Sequence, residues 1–429
     1  MSRLHLVLTL GPLVLLAVPS AQWPYPLWST ASQKPARNGL TSSSSSSSLL
    51  PRVLSFFPEP VAEECLSADK RRRGICMNTY DCRIQRGTFQ GPCALGFGVC
   101  CVFTASCGGE VQNNLTYVTS PGFPNLIDQA MNCSVLVKKI EQQVSQLRID
   151  FLHFNIGQPN RRTGVCDDDV MLVRSGEKTF QLCGWNSGQH IYVDIGEEPV
   201  TINFRLPGNL TSRMWEMRVV QLGFEQRAPA GCLQYLQAAN GTLKTLNYLP
   251  NGRYLANHDY LICIRQEYGM CSVAYAPCTE DSFRIGGPNA RIRNITTVQS
   301  PDEVDDGSGS APESSGLSLT RCKDRVLIPC DFEEFITPGN DGAGICDLEH
   351  CGTTFCGSSG VSSTATTTES SEPTTVATAA AAAGSGCRVE TSALPFHIRV
   401  AFGPGEDTGT SPEDNVGMCL SYEQLPCVP

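Results

Sequence analysis

The chain reads Cys107-Gly-Gly-Glu110, Ser120-Pro-Gly-Phe-Pro-Asn125, Asn132-Cys-Ser134, Cys166-Asp-Asp-Asp-Val170 and Leu182-Cys-Gly184 between residues 107 and 184. Two pairs of cysteines bracket alternating apolar segments, and a turn with two prolines lies between the first two cysteines. Alternation of apolar and polar residues predicts strands with one buried face. Cysteine pairs in such a segment are typical of a stapled β-sandwich in an oxidising compartment. This stretch therefore predicts an extracellular recognition module rather than a catalytic centre.

The first residues predict export. Arg3 and His5 precede an apolar run from Leu6 to Val18, and small residues follow at Ser20 and Ala21. A basic start, an apolar centre and a small-residue end are the three parts of a secretory signal. We therefore expect a signal peptide over residues 1–20 and a secreted, extracellular protein.

Cysteine usage agrees with that compartment. All 22 cysteines of the 429-residue chain lie at Cys65 or beyond. An even number favours a disulfide framework over free thiols. The histidines are scattered singly, without the spacing of a tetrahedral zinc site. The sequence therefore predicts no metal and no cofactor.

Charge and hydropathy exclude two classes of partner. The formal net charge is −10 at pH 7, and no basic face suited to nucleic acid occurs. After the signal, no apolar run reaches the roughly 18 residues that a membrane span requires. The last residues, Leu425-Pro-Cys-Val-Pro429, do not form the hydrophobic tail of a lipid-anchor signal. We expect neither a nucleic-acid partner nor a membrane span.

Composition divides the rest of the chain. Ser- and Pro-rich residues including Ser42–Ser48 predict a disordered tether. Six cysteines in a short segment predict a module that is too small to build its own core. The predicted regions are the tether (21–64), the six-cysteine module (65–103), a first sandwich (107–222) and a second sandwich (232–429) with disordered insertions at about 287–318 and 358–386.

A weak internal repeat predicts that the two sandwiches are related. Residues Val200 to Leu206 alternate between apolar and polar, and so do residues Phe396 to Phe402. Cys263 lies among alternating apolar residues, as Cys133 does in the first sandwich. Repetition of such a plan indicates tandem domains. The predicted fold class is all-β, with tandem disulfide-bonded β-sandwiches preceded by a small cysteine-rich module.

These elements resemble a known family. Cys107-Gly-Gly, Ser120 to Pro124, Cys166-x-x-Asp169 and Cys183-Gly184 resemble a CUB domain, which implies a jelly-roll sandwich over residues 107–222. Segments from Cys232 to Arg399 resemble a second, divergent CUB domain. The tandem arrangement is similar to secreted CUB-domain proteins of arthropods. The six-cysteine module, ending Gly98-Val-Cys-Cys101, resembles a clip domain.

The resemblance also implies a disulfide pattern. In a CUB domain, Cys107 would pair with Cys133 and Cys166 with Cys183. The internal repeat then implies a bond between Cys232 and Cys263. The pairing of most other cysteines stays open, because the number of possible connectivities rises steeply with the cysteine count.

Many CUB domains bind calcium through clustered carboxylates, and Asp169 lies where one such ligand would be. The chain departs from the pattern elsewhere: Gly157 replaces a family Glu, and Leu206-Pro207 replace a family Ser-Asp. Solvated carboxylates at Asp167 and Asp168 explain the acidic run without an ion. We therefore expect no metal site in this domain.

The basic run Lys70-Arg-Arg-Arg73 allows three interpretations. It could be cleaved by a trypsin-like or furin-like protease, bind a sulfated polysaccharide, or form a solvated loop. Four charges attract anions only weakly in physiological salt, which favours the solvated loop.

Glycosylation is expected at the Asn-x-Ser/Thr sequons, which are exposed acceptors in secreted chains. The acidic segment around Asp306-Gly-Ser-Gly309 is interpreted as a solvated loop rather than a glycosaminoglycan attachment site. The sequons lie at Asn114, Asn132, Asn209, Asn240 and Asn294.

Catalytic motifs are not found. The sequence contains neither a Gly-Asp-Ser-Gly-Gly nucleophile loop nor a His-Glu-x-x-His segment. The sequence therefore predicts a secreted non-catalytic glycoprotein that binds an extracellular protein or glycan. One alternative is a non-catalytic adaptor of an extracellular serine protease cascade, in immunity or development. A second alternative is a structural component of an extracellular matrix.

Overall fold

The computed structural model describes residues 63–208, 212–287, 290–293, 320–329, 349–356, 387–405 and 411–427. The signal, nearly all of the tether, most of the first insertion, all of the second and the sequons at Asn209 and Asn294 lie outside the described residues. Within the described part, no helix is long and apolar enough to cross a membrane.

The six-cysteine module is a four-stranded antiparallel sheet with one short helix. Its strands follow the order β1-β2-β4-β3. Helix α1 begins after Asn78, whose side chain accepts a hydrogen bond from the backbone N–H of Asp81 and so satisfies a free donor of the first turn. The elements are β1 (Glu64–Leu66), β2 (Arg73–Met77), α1 (Thr79–Ile84), β3 (Thr88–Cys93), a 3₁₀ turn (Ala94–Gly96) and β4 (Gly98–Ala105).

Three disulfides stabilise this module, in which few residues are buried. They join Cys65 to Cys100, Cys76 to Cys93 and Cys82 to Cys101. A cross-link restricts the unfolded chain and can offset a small core.

The first sandwich follows directly from this module. One sheet has the order β10-β9-β12-β7-β5, and the facing sheet continues from the module as β4-β6-β13-β8-β11. Its strands are β5 (Glu110–Val111), β6 (Leu115–Thr119), β7 (Met131–Val137), β8 (Val144–Asn155), β9 (Val170–Ser175), β10 (Lys178–Leu182), β11 (His190–Asp194), β12 (Val200–Leu206) and β13 (Met214–Gly223), followed by a 3₁₀ turn (Phe224–Gln226).

Strand β4 joins the module to the sandwich. It pairs in parallel with β6, so that Phe103 lies opposite Thr116 and Ala105 opposite Val118. Val102 and Phe103 are buried in one apolar cluster with Leu115 of the sandwich. The sequence suggested a separate unit, but the apolar end of β4 needs a partner surface, and the sandwich provides it.

The second sandwich has two main sheets, ordered β14-β16-β24-β21-β22 and β15-β25-β17-β23, with β18 on β25 and a separate β19–β20 pair. Its strands are β14 (Cys232–Leu236), β15 (Asn240–Lys244), β16 (Asp259–Ile264), β17 (Met270–Pro277), β18 (Phe283–Arg284), β19 (Arg291–Arg293), β20 (Thr320–Cys322), β21 (Arg325–Leu327), β22 (Glu349–His350), β23 (Val389–Thr391), β24 (His397–Ala401) and β25 (Gly417–Pro426), with a 3₁₀ turn (Pro412–Asn415) before β25.

Each sandwich contains a stacked aromatic pair. The rings of Phe204 and Trp215 lie 4.0 Å apart in the first core, and those of Tyr254 and Phe402 lie 4.0 Å apart in the second. All four side chains are buried, in line with the alternation of residues 200–206 and 396–402. The prediction of an all-β fold with tandem disulfide-bonded sandwiches is confirmed.

Disulfides also connect strands and loops of both sandwiches. Bonds join Cys107 to Cys133, Cys166 to Cys183 and Cys232 to Cys263. Further bonds, which the sequence left open, join Cys271 to Cys427, Cys278 to Cys419, Cys322 to Cys351 and Cys356 to Cys387.

Candidate functional site

The two sandwiches meet along edge strands, and each contributes a histidine that contacts the backbone of the other. His190 in β11 places Nε2 3.1 Å from both the backbone nitrogen and the carbonyl oxygen of Tyr235. His258, directly before β16, places Nε2 3.0 Å from the carbonyl oxygen of Gln181 in β10. Burial lowers the pKa of each histidine to about 4, so both are neutral at physiological pH.

Asn247 forms the centre of this junction. Its Oδ1 accepts a hydrogen bond from the Trp185 backbone N–H at 2.8 Å, and its own N–H donates to Asn186 Oδ1 at 2.7 Å. Its Nδ2 donates to Gln158 Oε1 at 3.1 Å. Asn247 has a φ of 60°, a conformation that Asn tolerates better than most residues. A side chain at Gly184 would overlap the Asn247 amide, so this close approach requires glycine.

A cleft opens beside the junction. Its volume is about 520 Å³, within the range of small-ligand sites. The first sandwich contributes β10 and the outer part of β11, including Lys178, Phe180 and Asp194. The second sandwich contributes residues 231–233 and 256–260, including Asn257. Sequence patterning indicated the strands but gave no sign of this cleft, because its walls are far apart in the chain.

Asp169 does not face solvent with its acidic neighbours. Its carboxylate is 2% exposed and forms two hydrogen bonds with Arg213, from Nε at 2.6 Å and from Nη2 at 2.7 Å. Arg213 is 1% exposed, and its Nη1 also donates to the carbonyl of Gln129 at 3.1 Å. The Gly157 backbone N–H donates to Asp169 Oδ2 at 2.7 Å. Asp167 and Asp168 are exposed, so the acidic run does not converge.

These residues do not fit a calcium ion. Calcium takes six to eight oxygen ligands, whereas the Asp169 carboxylate is already occupied by a guanidinium and an amide. A side chain at position 157 would come within 2.9 Å of Asp169 Cγ, so the site has no room for a second acidic ligand there. Among the described residues, no group of three or more His, Cys, Asp or Glu side chains could hold a metal. The cation beside Asp169 is Arg213, which sequence reasoning missed because it lies 44 residues away.

The basic run forms the turn between β1 and β2 and the start of β2. Arg72 pairs with Glu216 of the first sandwich at 2.7 Å, and its guanidinium lies 5.2 Å from the Tyr117 ring centroid. The Arg73 backbone N–H donates to the Tyr117 hydroxyl at 2.6 Å. The Arg72 side chain and the Arg73 backbone therefore contact the sandwich, and the two exposed residues of the basic run within the turn itself are Lys70 and Arg71.

The tip of the β3–β4 hairpin is apolar and exposed. Leu95 is fully exposed and Phe97 is 60% exposed. Ala94 and Leu95 both have positive φ, at 48° and 55°, which is uncommon for such residues and is found at functional sites. The disulfide from Cys76 to Cys93 fixes the base of this tip.

The described sequons all lie at the surface. Asn114 just before β6, Asn132 in β7 and Asn240 at the start of β15 are exposed.

Family comparisons match both sandwiches. The CUB domain model matches residues 107–218, and the animal CUB domain model matches residues 229–425. Cubilin of Canis lupus familiaris is 27% identical over 174 residues, which is 38% of this chain and 4% of that protein. Cubilin of Rattus norvegicus is 27% identical over 121 residues, covering 27% of this chain and 3% of that protein. The chain thus spans only a small part of the length of these relatives.

Solved structures with likeness to the chain include CUB domains. The CUB1-EGF-CUB2 domains of rat MASP-1 are 12% identical, with a TM-score of 0.23 over 75% of this chain and 99% of that one. The MASP-1 CUB2 domain bound to Ca²⁺ is 21% identical, with a TM-score of 0.23 over 27% of this chain and 98% of that one.

Proposed function

From the premise that this chain carries two CUB domains, we propose that it is a secreted, non-catalytic glycoprotein that binds an extracellular protein or glycan. CUB domains of the cubilin and MASP-1 type suggest extracellular protein binding. The proposed order is a signal (1–20), a tether (21–64), a clip-like module (65–103) and CUB domains at 107–222 and 232–429, as in arthropod proteins of this kind. Glycans would be attached at the five sequons.

The observation that carries this proposal is the cleft between the sandwiches. Hydrogen bonds of Asn247, His190 and His258 hold its walls together, so the cleft does not need to form on binding. A rigid β-scaffold that presents loops and edges is a common basis for recognition.

The apolar hairpin tip favours a second candidate. Exposed Leu95 and Phe97, on a disulfide-fixed loop of the clip-like module, form a surface suited to a protein partner. We therefore keep as an alternative a non-catalytic adaptor of a serine protease cascade, with the tip as its docking surface. A matrix role would rest on the acidic and Ser/Thr-rich tracts, nearly all of which lie outside the described residues.

Capture from extracellular fluid tests both candidates. The full secreted chain is used as bait beside a variant with Leu95→Asp and Phe97→Ser, and bound proteins are identified by mass spectrometry. The matched control is Leu126→Asp, because Leu126 is also exposed, at 58%, but lies on the first sandwich. Partners kept by both variants support recognition by the CUB domains, and a protease lost only with the tip variant supports the adaptor. No reproducible partner with any chain would contradict the proposal.

A further inference from the structure

Strand β10 is an edge strand whose free side borders the cleft. It lies at the end of the sheet order β10-β9-β12-β7-β5, and among the described strands it pairs only with β9. In an antiparallel strand, alternate residues direct their N–H and C=O groups to the same side. The Gln181 carbonyl points away from β9, because it meets His258 Nε2 at 3.0 Å. Thr179, two residues earlier, therefore also directs its N–H and C=O groups into the cleft.

The Thr179 N–H and C=O groups have no hydrogen-bond partner within the described part of the chain. A free strand edge is a template for pairing with another extended chain. The free edge of β10 is continuous with the interface between the sandwiches, since His258 of the second sandwich already contacts the Gln181 carbonyl. Thr179 and Lys178 are exposed, so the remaining edge is open to solvent.

Other residues of the cleft carry groups that could bind a peptide backbone or a carboxylate. Asn257 in the second sandwich has a φ of 58°, lies in the cleft wall and is exposed. A side-chain amide carries both a donor and an acceptor, as a peptide group does. Lys178 has no recorded ion pair within the described residues, and it supplies a positive charge at the end of the edge. Phe180, the aromatic residue of this strand, is half-buried against His258, at 5.4 Å between ring centroids, and does not form an open platform for a sugar ring.

We propose that the cleft between the two sandwiches binds an extended peptide segment of a protein partner, which pairs with the free edge of β10 at Thr179 and places a carboxylate near Lys178. Main-chain pairing with an exposed edge is an established mode of peptide recognition. This inference deepens the proposed binding function and rests on it.

A display library of random linear peptides, screened against the full secreted chain, provides the probe. We expect enriched peptides that carry an acidic residue at a fixed position. The best of these, made synthetically, should slow amide hydrogen exchange in the segment that spans Thr179 and Gln181. Thr179→Pro, which removes one free donor, and Lys178→Gln should each weaken the affinity by about tenfold, the size of one lost hydrogen bond or charge contact.

Lys244 supplies matched controls. It lies in β15, which is also an edge strand, and the neighbouring Thr245 N–H bonds inward to Met418, so the Lys244 N–H points outward. Lys244→Pro and Lys244→Gln make the same changes at an edge away from the cleft, and the affinity should not change. Proline is tolerated at the free side of edge strands, so both proline variants should fold. Lys178→Gln, a change at an exposed side chain, keeps the test valid if Thr179→Pro does not fold.

Four outcomes would overturn the inference. Three of them are a library without enriched peptides, protection from exchange at another surface, and equal loss of affinity in the Lys244 controls. Protection of β10 by N-glycan or glycosaminoglycan oligosaccharides, and not by any peptide, would also overturn it. Each of these results leaves the proposed function standing if partners are still captured from extracellular fluid, so the two failures are distinguishable.

Discussion

Arg213 places a permanent positive charge against Asp169 where both side chains are excluded from water. The guanidinium fork matches the carboxylate with two hydrogen bonds, which is the favoured geometry of such pairs. The Arg213 side chain, one residue before β13, thus takes the place of a bound cation beside Asp169. Asp169 could be singled out in the sequence from its position, but its partner could not, because nothing local marks residue 213 as inward-facing.

Loss of one partner should therefore be costly. Arg213→Met leaves a buried carboxylate without its cation and should lower the free energy of unfolding by about 3–5 kcal/mol. Arg213→Met combined with Asp169→Leu removes both charges and should recover much of that loss. Urea denaturation of the three chains measures both effects.

Calcium gives an independent check on the same residues. Because the carboxylate is occupied, the thermal midpoint of the secreted protein should be the same in millimolar calcium and in EDTA. A calcium-dependent rise of the midpoint in the natural sequence would contradict this account, whereas a rise seen only in Arg213→Met would support it.

Asn247 and Asn257 form a natural pair for comparison. Both adopt positive φ, at 60° and 58°, so replacement by Ala costs each a similar backbone penalty. Only Asn247 bonds across the junction, and each bond lost there should cost about 1–3 kcal/mol. We expect Asn247→Ala to lower the thermal midpoint more than Asn257→Ala and to speed amide exchange at Trp185. Equal effects of the two substitutions would show that the junction bonds contribute little.

Among the elements, alternation predicted several strands well. The residues of β12 and β24 alternate between apolar and polar in the sequence, and their side chains alternate between the core and the less buried face in the sheets. The parallel contact of β4 with β6 could not be predicted, because parallel pairing leaves no turn between the strands. The contacts of β10, β11 and β14 across the junction were equally hidden, since contacts across a domain boundary leave no local pattern.

The position of β2 determines which peptide bonds of the basic run Lys70–Arg73 a protease can cleave in the native protein. The Arg73–Gly74 bond lies inside the module's sheet, where Gly74 is buried and a side chain there would overlap the Cys101 carbonyl. Trypsin treatment of the native protein should therefore give no cut after Arg73, although cuts at Lys70 or Arg71 in the turn are compatible with the fold. Mass spectrometry of the fragments distinguishes these sites, and the reduced, denatured chain is the control that must be cut after Arg73. A native-state cut at that bond would contradict the pairing of β2.

At the scale of the molecule, the two sandwiches behave as one packed body. Buried apolar residues of both belong to a single contiguous cluster, including Phe154, Phe204, Ile262 and Phe402. The tandem order could be predicted from the repeat of Cys133 and Cys263. The shared core could not, because a repeat shows that two domains are alike and not how they pack.

The two junction histidines should make stability depend on pH. Their pKa is about 4 in the folded protein and about 6.5 when unfolded, so below pH 6.5 the unfolded state binds protons that the folded state does not. The contribution of these two histidines to the free energy of unfolding should be constant above about pH 6.5. It should fall as the pH decreases toward 4. Buried His258 should contribute up to about 3 kcal/mol, and half-buried His190 less.

Urea denaturation at several pH values tests this expectation. His258→Gln and His190→Gln should each flatten the acid side of the profile. The charged groups near His190 are Arg148, which lowers its pKa, and Asp150, which raises it, so Arg148→Gln should bring the folded pKa closer to 6.5 and make the loss of stability in acid smaller. Unchanged acid sensitivity in the double histidine variant would rule out this origin.

The bond between Cys271 and Cys427 has a mechanical consequence. It closes a loop of 156 residues, which contains most of the second sandwich. Tension applied between residue 263 and the end of the chain would pass through this sulfur bridge and bypass the strands inside it. Stretching could not extend those strands, so a pulled molecule would extend far less than its contour length until a reductant cut this bridge and the nested bond between Cys278 and Cys419.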